Sequence, residues 1–317
     1  MIVARTLDDV KDVTTGTSLT IGNFDGVHLA HQKLLARVRE RAKALNILSL
    51  AVTFEPHPRQ VLLGKNDPPR LTSPDVKLEL IAATGIEVCL VLPFTRAFAA
   101  QEPDVFVRDC LVQGLRMREL VIGHDWAFGK GRKGNFTTLS TLGARLGFTV
   151  DQLDPVLLDG AVVSSTRIRD MLLSGDVWHV RPLLNRFHKV RGTVIHGADR
   201  GGKLLGFPTA NIHAPDQLLP KGGVYAAWVT HGDRTFGAVA NLGSNPTFRP
   251  TFGAGPLSLE AHIFDYSGDL YAKSVDLHFV QRLRGEKKFS GPDVLKAQIT
   301  QDANLAKRIL ATPEAGL

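Results

Sequence analysis

Apolar, strand-like runs alternate with stretches of helical pattern through the first half of the chain. The apolar runs predict strands at 19–21, 47–54, 88–92, 119–122 and 148–153. The stretches between them predict helices at 32–41, 74–83, 104–111 and 138–146. Alternation of this kind is typical of an α/β domain, in which helices flank a parallel sheet. Because such sheets bind ligands at the carboxyl ends of their strands, we expect the loops there to carry the chemistry.

The pattern changes near residue 185, where short apolar runs separated by turn residues replace the alternation. These runs predict strands at 190–195, 223–230, 235–241, 257–264 and 274–280. They favour a small antiparallel β-barrel or sandwich. An amphipathic helix is predicted at 291–311. The sequence therefore predicts two domains, residues 1–184 and residues 185–317.

The composition agrees with two globular domains in a cytoplasmic protein. The chain has 317 residues, of which 44% are hydrophobic and 22% charged. No apolar run approaches the roughly 20 residues of a membrane span, and residues 1–9 show no secretory pattern. Cys89 and Cys110 lie in apolar segments, which favours buried thiols in a reducing compartment.

The net charge favours anionic partners. The formal charge is +7 and the isoelectric point is near 9.5. The lysines and arginines are scattered and form no stripe with interleaved aromatic residues, the pattern expected for nucleic-acid binding. Nucleotide phosphates are a sufficient explanation, and we predict neither a nucleic-acid nor a membrane partner.

Residues 20–31 read Thr-Ile-Gly-Asn-Phe-Asp-Gly-Val-His-Leu-Ala-His. An apolar strand runs into a turn, and a helix follows. His28 and His31 lie three residues apart at the start of that helix, which places both on one helical face. The free N–H groups and positive end of a helix N-terminus suit phosphate. A plain strand-to-helix turn with two surface histidines is the alternative.

The segment resembles the adenylyltransferase domain of the bacterial riboflavin kinase/FAD synthetase family, part of the nucleotidylyltransferase superfamily with its H-x-G-H signature. The resemblance implies a Rossmann-like fold and contact of both histidines with a nucleotide triphosphate. Ala30 stands where the signature has glycine. The resemblance also implies that four residues of this turn bind nucleotide, namely Gly22, Asn23, Phe24 and Asp25.

Two further loops extend the resemblance. His57 lies between two prolines, which predicts a positioned, partly exposed imidazole, and a plain loop histidine is the alternative. Phe54-Glu-Pro-His-Pro is similar to the family's F-x-P-H-P stretch, which implies that His57 contacts phosphate or flavin nucleotide. Residues 123–134 resemble G-x-D-F-x-F-G-K-x-x-x-G, a loop whose aromatic rings can stack on a planar ligand. The flavin-binding positions implied there are Asp125, Trp126 and Phe128.

Residues 164–169, Ser-Ser-Thr-Arg-Ile-Arg, open a helix predicted to run to about Leu173. Hydroxyls at this position cap a helix, and with arginines they can clamp phosphate. A cap with exposed arginines is the alternative. The stretch resembles the family's S-S-T-x-I-R motif, which implies that Ser164, Thr166 and Arg169 face nucleotide phosphates.

In the second half, residues 206–211 read Gly-Phe-Pro-Thr-Ala-Asn and resemble the riboflavin kinase motif. The resemblance implies that Gly206, Thr209 and Asn211 bind nucleotide phosphate, and that Thr209 and Asn211 coordinate Mg²⁺ through neutral oxygens. Glu260 is the implied base for a ribityl hydroxyl, although a lone strand carboxylate is more often a solvated residue. The junction at 185–188 departs from the family's Gly-Arg-Pro-Tyr.

The resemblance covers essentially the whole chain and implies a bifunctional enzyme of FAD biosynthesis. The second domain would phosphorylate riboflavin to FMN with ATP, releasing ADP. The first would transfer AMP from a second ATP to FMN, giving FAD and pyrophosphate, with Mg²⁺ at both sites. The implied catalytic residues are Glu260, His28, His31 and Arg169. Retention of one activity only, and a non-catalytic flavin- or nucleic-acid-binding protein, stay open as alternatives, as does the oligomeric state.

Overall fold

A computed structural model describes residues 1–12, 15–64, 69–129, 134–196, 207–244 and 257–317. The chain folds into two compact units. The sheet unit comprises Met1–Pro68 and Pro74–Ser164, and the barrel unit comprises Pro69–Ser73 and Ser165–Leu317. The two helices that precede residue 185 therefore belong to the barrel unit, and the domain boundary at 184/185 stays a prediction.

The described residues of the sheet unit form a six-stranded parallel sheet in the order β1-β4-β3-β2-β5-β6. Its strands are β1 (Ile2–Ala4), β2 (Thr17–Ile21), β3 (Leu48–Phe54), β4 (Val88–Leu92), β5 (Met117–Gly123) and β6 (Thr149–Leu153). Strand β2 lies between β3 and β5, so the strand order reverses beside it. Ligands of open α/β sheets bind at such a reversal, outside the carboxyl ends of the strands.

Helices cover both faces of this sheet. They are α1 (Leu29–Leu45), α2 (Pro58–Leu63), α3 (Pro74–Ala83), α4 (Arg96–Ala99), α5 (Pro103–Val105) and α6 (Phe136–Leu146). Helix α5 continues as a π-helix, Phe106–Gly114, and a short 3₁₀ helix spans Asp8–Val10. A two-stranded hairpin, β7 (Leu157–Leu158) with β8 (Ala161–Val162), ends the unit.

The core of the sheet unit lies in two apolar clusters. Leu50 and Val52 of β3 pack in the cluster that includes α6 and the π-helix, whereas Ala51 packs in the cluster that includes α1 and α3. Successive strand residues point to opposite faces of a sheet. Strand β3 is therefore mostly apolar because both of its faces are covered, and its two polar residues, Ser49 and Thr53, are buried as well.

The barrel unit begins with helices α7 (Ser165–Ser174) and α8 (Val177–Leu184). Six antiparallel strands of its described residues close into a barrel in the order β10-β13-β12-β11-β14-β9. They are β9 (His188–Ile195), β10 (Ala210–His213), β11 (Gly223–His231), β12 (Arg234–Ser244), β13 (Leu257–Ile263) and β14 (Ser274–Arg284). The predicted fold class is confirmed, with a barrel rather than a sandwich.

Residues of β13 alternate between the two sides of the barrel wall. Leu259, Ala261 and Ile263 are buried, whereas Glu260 and His262 between them are partly exposed on the outer side. This alternation follows from the pleat of the strand. The pleat therefore directs the predicted base away from the apolar interior.

A long helix, α9 (Pro292–Leu310), packs against the outside of the barrel, and a 3₁₀ turn spans Pro313–Ala315. Ala303, Ala306 and Leu310 of the helix meet Val239 and Phe264 of the wall in one apolar cluster. Among the described residues, no helix is long and apolar enough to cross a membrane.

Candidate functional site

The turn after β2 is held in an unusual backbone conformation by its own buried side chains. Phe24 and Val27 have φ angles of 50° and 37°, although neither is glycine. Both side chains are buried, and a Cβ on Gly22 would lie 2.9 Å from the Phe24 ring. Strained positions of this kind persist where packing over-determines them, and they cluster at functional sites. The turn places Asn23 at the surface and buries Asp25 at the predicted phosphate site.

The two predicted histidines lie together, but only one belongs to the helix. His28 is the N-cap of α1, with φ −72° and ψ 172°, and its Nδ1 accepts a hydrogen bond from the His31 backbone N–H at 3.4 Å. The expectation that both lie on one helical face is therefore wrong for His28. The rings nevertheless stack, with centroids 3.6 Å apart and planes at 15°. Because Nδ1 of His28 accepts, its Nε2–H is the donor available to a phosphate oxygen.

His31 is held in its neutral form. Burial and then the neighbouring His28 lower the pKa of His31 well below its ordinary value of 6.5. Its Nδ1 is shut off from solvent and has no hydrogen-bond partner among the described residues. The edge of the Phe24 ring packs near it, with centroids 5.3 Å apart. The free protein therefore presents the His31 imidazole in its neutral form, stacked on the ring of His28.

His57 follows β3, at the same edge of the sheet. It caps helix α2, and its Nδ1 accepts from the Arg59 backbone N–H at 3.2 Å. The residue is only 6% exposed. The expectation of a partly exposed imidazole is therefore wrong: the ring is buried, and its Nδ1 accepts the hydrogen bond that caps α2.

The aromatic loop after β5 is joined to the turn after β2. Trp126 donates from Nε1 to the carbonyl oxygen of Ile21, the last residue of β2, at 2.8 Å. The rings of Trp126 and Phe128 lie 4.7 Å apart, and both pack against the core cluster. Asp125 is exposed. The structure thus gathers this loop, the β2 turn and the His57 loop at the carboxyl edge of the sheet, which the strand pattern predicted.

The Ser-Ser-Thr-x-Ile-Arg motif spans the change between units. Ser164 ends the sheet unit, whereas Thr166 and Arg169 lie on α7 of the barrel unit. Arg169 is buried at 8% exposure, and its Nε donates to the carbonyl oxygen of Pro69 at 3.4 Å. The assignment of these three residues to nucleotide phosphates stays a prediction.

The second candidate site is a row of polar residues across three neighbouring barrel strands. Asn211 of β10 pairs with Glu260 of β13, and Glu260 in turn pairs with Asn241 of β12. Directly opposed residues of antiparallel strands lie on one face with Cβ atoms about 4.5–5.5 Å apart. Thr209 is exposed two residues before Asn211, whereas the predicted Gly206 lies outside the described residues. The register therefore brings Asn211 beside the predicted base, and Thr209 lies two residues before it in the chain.

Asn241 is a further candidate that the sequence analysis does not single out. Only the register shows that it lies directly opposite Glu260, on the side away from Asn211. A Cβ on Gly243 would lie 3.4 Å from the Asn241 amide nitrogen and 3.1 Å from the Glu286 carboxylate. The absence of a side chain at Gly243 therefore leaves room for these groups beside the row.

The environment of Glu260 suits a base. Burial raises the pKa of its carboxyl above the ordinary value of 4.5. A raised pKa makes the carboxylate a stronger proton acceptor, provided that it is ionised at the working pH. The rest of the row consists of amides and a hydroxyl, which are neutral oxygen donors.

We expect riboflavin phosphorylation to fall on acidification at a higher pH than an ordinary carboxylic acid would give. The base must be ionised, and the raised pKa of Glu260 means that protons bind it earlier as the pH falls. The measurement is kcat/KM for riboflavin between pH 4.5 and 8.5, with FMN-to-FAD conversion as the reference. If both activities fell at the same acidic pH, the fall could not be assigned to Glu260.

The comparisons with known proteins separate the two halves of the chain. A family model described as FAD synthetase matches residues 10–167, and one described as riboflavin kinase matches residues 184–310. A bifunctional riboflavin kinase/FMN adenylyltransferase of Haemophilus influenzae is 40% identical over 97% of this chain and 98% of its own. The chain belongs to the bifunctional riboflavin kinase/FMN adenylyltransferase family.

Other members of this family match at similar coverage. The one from Pseudomonas fluorescens is 38% identical over 99% of both chains. A crystal structure described as a macrolide-efflux protein from Streptococcus pneumoniae has 27% identity and a TM-score of 0.83, covering 96% of this chain and 98% of that one. The predicted family is therefore confirmed, and the matched models assign the adenylyltransferase to the first half and the kinase to the second.

Proposed function

We propose that the chain converts riboflavin to FAD in two ATP-dependent steps at two sites. The barrel unit transfers the γ-phosphoryl group of ATP to the ribityl 5′-hydroxyl, giving FMN and ADP. The loops at the carboxyl edge of the parallel sheet support transfer of AMP from a second ATP to the FMN phosphate, giving FAD and pyrophosphate. The observation that carries the proposal is the register pair Asn211–Glu260, which sets a base beside the Thr209–Asn211 segment in a chain matched by both family models.

In the kinase step, Glu260 accepts the proton of the ribityl hydroxyl as its oxygen attacks the γ-phosphorus. An aliphatic hydroxyl is a weak nucleophile at neutral pH, and a positioned base typically contributes about 10²–10⁴ in rate. Asn211 and Asn241 flank the carboxylate on both sides. Their amides can donate to the carboxylate or to the ribityl hydroxyls and so orient both.

In the adenylyl step, the FMN phosphate oxygen attacks the α-phosphorus and pyrophosphate leaves. No covalent intermediate with the protein is needed, because the attacking phosphate is already anionic. His28 donates from Nε2–H to a phosphate oxygen, and His31 stacks behind it. Positioning and charge stabilisation of this type are the main sources of rate in phosphoryl and nucleotidyl transfer.

The residues of the barrel row fit Mg²⁺. Hard cations prefer oxygen ligands, and Mg²⁺ is commonly held by one or two protein groups together with substrate phosphates. Thr209 supplies a hydroxyl and Asn211 an amide oxygen two residues further, on the strand next to Glu260. Among the described residues, no cluster of His, Cys, Asp and Glu could hold a metal by itself. We infer that Mg²⁺ enters with ATP, held by Thr209, Asn211 and the phosphates, where it would neutralise phosphate charge.

We infer a cytoplasmic setting and small-molecule partners. Cys89 and Cys110 are free thiols, which agrees with a reducing compartment. The charge of +7 is explained by ATP, FMN and FAD as ligands, without nucleic acid or a membrane surface.

The test is an incubation of the purified protein with riboflavin and Mg-ATP, followed by chromatographic separation of the flavins. The expected result is FMN followed by FAD, and direct conversion of added FMN to FAD. FMN without FAD would refute adenylyl transfer. In that case Ala30, which replaces the signature glycine, would be the first residue to examine. No FMN would refute the kinase, and salt-sensitive RNA binding without ATP turnover would support a binding module instead.

A further inference from the structure

Helix α3 buries a lysine against the carboxyl edge of the parallel sheet. Lys77 is 6% exposed, and its ammonium group lies 3.1 Å from Thr53 Oγ1 and 3.3 Å from the carbonyl oxygen of Phe54. Removing an ammonium from water is costly unless its donors are well satisfied. A buried lysine at this position is therefore a specific feature that needs a reason.

The contacts of Lys77 continue into the turn that carries the predicted phosphate ligands. Thr53 is fully buried, and its hydroxyl lies 3.4 Å from the carbonyl oxygen of Asn23. A hydroxyl has one proton to donate and lone pairs to accept. Thr53 can therefore accept from the Lys77 ammonium and donate to Asn23 at the same time.

The second contact reaches the other predicted loop. Phe54 is the last residue of β3, and His57 follows it by three residues. One ammonium group thus bonds to the end of β3, from which the His57 loop leaves, and, through Thr53, to the turn containing Asn23. Hydrogen bonds from a charged donor are about twice as strong as neutral ones.

We propose that Lys77 is a positioning residue for adenylyl transfer, which holds the Asn23 turn and the His57 loop in fixed relation through Thr53 and Phe54. The inference rests on the proposed function of the sheet unit and adds a residue to it. Lys77 makes no assigned contact with substrate, so its effect comes through the loops. Misplacement of reacting groups by about 1 Å can cost about 10²-fold in rate.

Two substitutions test the proposal. Lys77→Met keeps an unbranched apolar stem and removes the donors, and we expect kcat for FMN adenylylation to fall about 10- to 100-fold. Thr53→Val keeps the side-chain shape and removes the hydroxyl that joins Lys77 to Asn23, while the bond from Lys77 to the Phe54 carbonyl remains. We expect a smaller fall, of about threefold to tenfold. The double variant should be no worse than Lys77→Met, because both changes break one chain of hydrogen bonds. Lys33→Met, at an exposed position of α1, is the matched control and should leave both activities unchanged.

Riboflavin phosphorylation in the same samples measures the intact barrel unit, and thermal unfolding monitored by circular dichroism measures the folded fraction. The proposal is supported if adenylylation falls as stated in folded protein while phosphorylation stays within twofold. It is overturned if adenylylation by folded Lys77→Met stays within twofold of the unsubstituted chain, or if lost activity only tracks the unfolded fraction. If Lys77→Met does not fold, Thr53→Val decides, and a change below twofold overturns the proposal. Failure of the unsubstituted chain to make FAD would instead refute the proposed function.

Discussion

The substitution Glu260→Gln should abolish FMN formation from riboflavin and leave conversion of added FMN to FAD nearly intact. The amide cannot accept the ribityl proton, so we expect kcat for phosphorylation to fall by about 10³-fold or more, within the range of a lost general base. Burial already raises the pKa of Glu260, and a neutral isostere removes a partly desolvated charge. Folding should therefore not suffer. Initial rates of FMN and FAD formation, measured chromatographically from each flavin separately, check both parts.

The matched control is Glu314→Gln, at an exposed position near the end of the chain. It makes the same chemical change in the barrel unit, and both activities should be unchanged. Equal loss of both activities in Glu260→Gln would contradict a two-site enzyme. Retention of phosphorylation would remove Glu260 from the role of base.

Helices and strands with strong apolar patterns were predictable from the sequence. The helix at Pro74–Ala83 and the strand at Val88–Leu92 have the predicted bounds. All five residues of the strand are buried, which leaves a clear apolar run in the sequence. The predicted helix at 104–111 instead continues from α5 as a π-helix that ends at Gly114. A π-helix closes its hydrogen bonds five residues apart, whereas an α-helix closes them four apart. The pattern of apolar positions in the sequence does not distinguish the two.

Several elements were not predicted from the sequence, and three of them show why. Strand β1 has three residues, of which two are exposed, and it is ordered by pairing with β4. Strand β10 has four, only one of them buried, so alternation could not reveal it. Helix α8 contains Pro182, which argues against a helix in a sequence pattern. Tertiary contacts form these elements, and β10 is the one that carries Asn211.

The sequence was sufficient to predict which residues form the candidate site, but not how they are placed relative to one another. Motif resemblance singled out Asn211 and Glu260, but their opposition depends on a register that no local pattern fixes. Likewise, spacing brought His28 and His31 to one turn without predicting that His28 would cap the helix. Nothing in the sequence indicates that Lys77 is buried, because a lysine in a helix is usually exposed to solvent. Only the packing of α3 in the structure shows its burial.

Replacement of the two histidines should give the second large effect, confined to the other activity. His28→Asn keeps a side chain that can cap α1, and so it removes the imidazole donor without removing the cap. Loss of one preorganised donor to developing charge costs about 10²–10³-fold in rate, and we expect FMN adenylylation to fall by this amount.

His31→Gln removes the ring that stacks on His28 at 3.6 Å, and we expect a loss of similar size. In both variants riboflavin should still be phosphorylated, so FMN accumulates where the unsubstituted chain makes FAD. The pKa of His31 is lowered well below its ordinary value, so this imidazole is neutral in the free protein. Titration of His31 should therefore cause no loss of the adenylylation rate as the pH rises from 6 to 8. An adenylylation rate that falls over this interval only when His31 is present would show that the protonated form is required.

His231→Gln, at the partly exposed end of β11 in the barrel, is the control and should change neither rate. Because the two imidazole rings stack on each other, the double variant should lose little more activity than either single variant. Additive losses would mean that the two histidines act on separate phosphates.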